Sequence, residues 1–104
     1  MPGTKTGYTR VDPAATELVQ ETLTATAGSQ ELAFSEASLH GLCKVYAPST
    51  NAGQVFVGKP GEVDEEAGIP VSAGTLQSVP EVDNADKIGV WFETSGDKLV
   101  LIGS

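Results

Sequence analysis

Cations are what this chain has least of: its 104 residues hold six Lys and Arg against fourteen Asp and Glu. A net charge of −8 cannot displace the counterions of a nucleic-acid backbone and is repelled by an anionic lipid surface, so neither is expected as a partner. There is a single cysteine, Cys43, which excludes an intrachain disulfide and is expected to be a small buried hydrophobe. There is also a single histidine, His40. On a strand, a separation of three puts it on the face opposite Cys43, which weakens both a Cys–His nucleophile pair and a shared metal site. No apolar run is long enough to span a bilayer, and no start segment joins positive charge to an apolar stretch. Neither a transmembrane segment nor a signal peptide is expected, and synthesis in a reducing cytoplasm follows.

The remaining motifs are no richer in chemistry. Glu62-Val63-Asp64-Glu65-Glu66 lacks the alternation that converges carboxylates on calcium and reads as a solvated, exposed loop. Neither Asn51-Ala52-Gly53 nor Ser72-Ala73-Gly74 is followed by the Lys-Ser/Thr pair of a phosphate loop. No enzyme, cofactor or metal site is expected. The aromatics are Tyr8, Phe34, Tyr46, Phe56, Trp91 and Phe92. Tyr46 and Trp91 alternate away from the core side and could form one sugar-binding platform, or fill an interface.

What the chain does have is short alternating runs punctuated by turn residues. Residues 1–17 are rich in Gly, Pro, Thr and Ala and read as an extended arm, with Tyr8, Arg10 and Val11 as its candidate contacts to a neighbouring subunit. Residues 18–104 read as one β domain. A strand is favoured over about 18–26, with a helical turn after Asp12-Pro13 as the alternative. Strands are expected at 30–34, 39–47, 54–59 and 75–79, with 70–74 as a turn and 80–87 as a polar connection. Leu39, Cys43, Val45 and Ala47 share one face of the third. Val55-Phe56-Val57-Gly58 and Val90-Trp91-Phe92 are candidates for paired central strands.

The firmest local signal is 88–94 and 98–102 around Ser95-Gly96-Asp97, which reads as a hairpin. Ile88, Val90 and Phe92 share one face of the first run. In the second, Leu99 and Leu101 oppose Val100 and Ile102, so both faces are apolar. That marks an interior strand, or one between the core and a subunit interface, and makes Val100 and Ile102 candidate interface residues. The fold class is all-β: a small antiparallel sandwich, jelly-roll-like, or a barrel, with an N-terminal arm.

The order of these segments, from Thr22-Leu23-Thr24-Ala25-Thr26 through Leu42-Cys43-Lys44-Val45, Asn51-Ala52-Gly53-Gln54-Val55-Phe56-Val57-Gly58 and Pro70-Val71-Ser72-Ala73-Gly74 to Ile88-Gly89-Val90-Trp91-Phe92 and Gly96-Asp97-Lys98-Leu99-Val100-Leu101, resembles short tailed-bacteriophage virion proteins. The resemblance spans roughly residues 18–104 and carries no catalytic or ligand residue. It implies a compact β domain in the virion, of head decoration or cement type, partnered by the major capsid protein and by itself. A trimer would match quasi-threefold sites on a shell. The alternative is a carbohydrate-binding sandwich of a tail or fibre, serving host adhesion.

Overall fold

A computed structural model describes residues 18–104. These form eight strands: β1 (Val19–Thr24), β2 (Gln30–Ala33), β3 (Cys43–Tyr46), β4 (Val55–Gly58), β5 (Ile69–Val71), β6 (Leu76–Ser78), β7 (Gly89–Phe92) and β8 (Lys98–Gly103). They build two four-stranded antiparallel sheets. Sheet one runs β1-β8-β3-β6 and sheet two runs β2-β7-β4-β5.

The pairings β1·β8, β2·β7, β3·β6 and β4·β5 make one long antiparallel ribbon folded at its middle, between β4 and β5. Wrapping that ribbon closes two further seams, β3·β8 and β4·β7, and yields a jelly roll. The arrangement requires almost every connection to cross between sheets, and only β4–β5 is a hairpin within one sheet. The hairpin expected at 95–97 is therefore a corner: β7 belongs to sheet two and β8 to sheet one. The same holds for the two runs around Asn51-Ala52-Gly53. A turn sequence reports that the chain reverses and not which partner each strand then takes.

The inner faces carry the alternation read from sequence. Val45, Leu99 and Leu101 of sheet one meet Val55, Val57, Val71, Val90 and Phe92 of sheet two, all at most 1% exposed. Phe34, Leu39, Cys43 and Ile88 close the ends of this core. Burying a large apolar side chain contributes about 1.5–3 kcal/mol, and truncating one costs more because a cavity remains.

Polar clamps hold the corners. Asp97, 4% exposed, accepts hydrogen bonds from the backbone N–H groups of Ala52 and Gly53, both at 2.8 Å. Its neighbour Lys98 donates its N–H to the Asn51 side-chain oxygen, and the Asn51 amide donates back to the Lys98 carbonyl. Asn51 thus imitates the next residue of a paired strand. At Gly53 an added Cβ would collide with the Thr94 hydroxyl, so a larger residue there would force the Thr94 side chain to turn away.

Three further expectations need correction. Residues 39–42 do not extend β3: they bend through Gly41 (φ 149°), with the His40 N–H donating to the Ser104 carbonyl. Residues 69–71 form β5 despite Pro70, because β5 is an edge strand on which a missing N–H costs no ladder bond. The acidic segment is exposed at its charges, yet Val63 within it is 3% exposed.

Candidate docking face

Alternation places Gln20, Thr22 and Thr24 of β1, Lys98, Val100 and Ile102 of β8, Lys44 and Tyr46 of β3, and Leu76 and Ser78 of β6 on the outer face of sheet one. Register aligns them in rows. Thr22, Val100, Tyr46 and Leu76 lie side by side across all four strands, and Gln20, Ile102, Lys44 and Ser78 form the row beside it. Leu76 is 59% exposed and Tyr46 37%, while Val100 and Ile102 are half-buried. The face therefore has a continuous apolar centre. It also carries two lysines and no acid, in a chain whose net charge is −8.

The outer face of sheet two is covered in part. Its central row is Glu31, Trp91, Phe56 and Pro70, with Ala33, Gly89 and Gly58 beside it. The 59–68 connection folds over Gly89 and Gly58 of the second row, seating Val63 against Gly58 and Gly68, while Ala33 at the end of the row stays exposed. Gly89 has no room for a side chain, since a Cβ there would lie 2.8 Å from the Pro60 Cα. Glu31 fastens the loop by accepting the Gly61 N–H at 2.6 Å. Glu62, Asp64, Glu65 and Glu66 then stand exposed on the outside.

Val100 and Ile102, expected at an interface, thus sit together on the open face. Tyr8, Arg10 and Val11 lie outside the described residues. Tyr46 and Trp91 do point away from the core, but from different sheets, so they cannot form one sugar-binding platform. Sequence parity tells inside from outside and does not tell one outside from the other. Tyr46 and Leu76 as open-face partners went unread, because only the β3·β6 register brings them together.

His40 and Cys43 do not meet. The Cys43 side chain is buried in the core, which pushes its thiol above the ordinary value, whereas His40 is exposed. Beside His40 a shallow depression of about 520 Å3, floored by Leu39 and Gly41, adjoins an apolar cleft of about 360 Å3 between Val57, Ile69, Val79 and Ile88. Lys87 borders both and pairs with Asp83 at 2.7 Å, which lowers the Asp83 carboxyl from its usual range and raises the Lys87 ammonium. Among the described residues, no three His, Cys, Asp or Glu side chains gather as a metal site needs. No helix among them is long and apolar enough to cross a membrane.

No protein-family model, curated protein or solved structure matches the chain.

Proposed function

We propose that this chain is a structural docking module of a virion head, a decoration or cement subunit that settles on the shell through the outer face of sheet one. The observation that carries this reading is the apolar row Val100–Tyr46–Leu76 on a face with lysines and no acids. Scattered apolar residues are ordinary on a surface, whereas a contiguous patch marks a contact. The partner that fits is a protein surface with an apolar centre and acidic surroundings, which Lys44 and Lys98 would steer into register. A major capsid protein repeated over a shell is the partner that the resemblance to phage virion proteins implies for that role. The chain acts by binding and not by catalysis.

The test uses heads assembled without the chain. Wild-type protein is expected to co-sediment with them, and a Tyr46→Ser, Leu76→Ser variant to remain in the supernatant while keeping its fold. A variant that binds as tightly as wild type would sink the assignment of this face. Deleting residues 1–16 separates the contribution of the arm: loss of binding on deletion alone would move the docking role to Tyr8, Arg10 and Val11.

A further inference from the structure

The two sheets leave four edges, and they are unequally guarded. An edge strand offers unpaired N–H and C=O groups to any passing strand, so proteins blunt edges with proline, charge or short length. β5 has Pro70 at its centre, β6 has three residues, and β2 has four, one of them Glu31. β1 is different: six residues, Val19-Gln20-Glu21-Thr22-Leu23-Thr24, with neither proline nor lysine. Its one charge, Glu21, points inward and is engaged by Ser35, whose N–H and hydroxyl donate to the carboxylate at 2.9 and 3.1 Å. Among the described residues nothing pairs with the outer edge of β1.

We infer that β1 pairs antiparallel with β1 of a second copy, joining the two copies of sheet one into an eight-stranded sheet across a two-fold axis. The sequence of the strand chooses the register. An antiparallel pair that keeps the same faces outward must have its axis pass through a residue. An axis at Glu21 would set two carboxylates directly opposite, which is destabilising. An axis at Thr22 sets Thr22 against Thr22, Gln20 against Thr24 and Glu21 against Leu23. That register also makes the apolar rows continuous, running Leu76–Tyr46–Val100–Thr22 and on through the second copy in reverse.

A single strand pair falls below the interface of about 1,200 Å2 that stable complexes bury, so association is expected to be weak and concentration-dependent. A trimer has no corresponding self-paired edge. The pairing stands on β1 alone and holds whether or not the open face docks on a shell, but it would double that face and supply avidity if it does.

Cysteine scanning of the full chain tests it. Directly opposed antiparallel residues have Cα atoms about 4.5–5.5 Å apart, within disulfide reach. Thr22→Cys is expected to form a disulfide-linked dimer under mild oxidation, as read on a non-reducing gel. Thr24→Cys alone is expected to remain monomeric, whereas mixing it with Gln20→Cys should give a cross-linked pair. The parent, whose Cys43 is buried, is the blank. In sedimentation velocity, wild type is expected to shift toward dimer with concentration, and Thr22→Lys to stay monomeric at wild-type thermal stability. Absence of the Thr22→Cys dimer, equal cross-linking at 22 and 24, or dimerisation unchanged by Thr22→Lys would each overturn the pairing.

Discussion

On sheet two the outward residues Gly89 and Gly58 lie beneath the 59–68 loop, whereas on sheet one the row Thr22–Val100–Tyr46–Leu76 lies open. Both sheets are four-stranded and share one core, so the difference is not a matter of strand number or core quality. It comes from what the connections do. The long β4–β5 connection returns over its own sheet with an apolar side chain to bury and glycines to receive it. The connections of sheet one turn away to the other sheet. A jelly roll can fold a connection over an outer face, and this one does so over part of sheet two only; beside the loop Trp91 and Phe56 stay half-buried, as Val100 and Ile102 do on sheet one.

Substitutions that attack the covered face should therefore cost stability, and those on the open face should not. The largest effect is expected from Val63→Asp, which sets a charge where the native side chain is 3% exposed. A loss of about 3 kcal/mol, the upper end of ordinary single substitutions, should appear in chemical denaturation. The loop can lift instead of unfolding the domain, and hydrogen exchange at 59–68 distinguishes these outcomes. An unchanged midpoint with unchanged exchange would mean that Val63 is not a plug.

Next comes Gly89→Ala. Its Cβ would lie within 3 Å of backbone atoms of Pro60, and backbone cannot swing aside as a side chain can. Overpacking of this kind costs about 1–3 kcal/mol. A smaller loss, about 0.5–1.5 kcal/mol, is expected for Glu31→Ala, which leaves the exposed Gly61 N–H to water. If Val63→Asp has already lifted the loop, adding Glu31→Ala should cost little more, since coupled groups are not additive. Full additivity would show that the two do not secure the same lid over sheet two.

The covered face also marks how far the sequence could be read. Alternation was legible wherever inner and outer residues differ, as in Ile88, Val90 and Phe92 or in Leu99 and Leu101, and it placed the core and the double-faced β8 correctly. Pairing was less legible. Ser95-Gly96-Asp97 looks like a hairpin turn, and the buried Asp97 that binds the Ala52 and Gly53 amides is what marks it as a corner. Those partners lie some 45 residues away in sequence, beyond any local pattern. Val63 was hidden for another reason: four acids around it announce solvent, and of the glycines that receive it Gly89 lies far off on β7, while Gly58 and Gly68 become a seat only once the loop closes. On the open face, Val100 and Ile102 were found from periodicity, while Tyr46 and Leu76 needed the register.

The smallest stability effect is expected on the open face, and it is the most informative. Tyr46→Ser with Leu76→Ser removes two apolar side chains that are 37% and 59% exposed, and should change unfolding free energy by less than about 0.5 kcal/mol. An apolar row that does not hold the fold carries a cost in solubility with no return inside the monomer, which is what the proposed docking role would offset. If the double variant instead loses about 2 kcal/mol, comparable to a buried side chain, the row is part of the protomer's own packing. The contrast between the two faces would then disappear, because both would be serving the fold. If stability holds while shell binding falls, the contrast is functional: one face is partly covered by the chain itself, and the other is left for something else to cover.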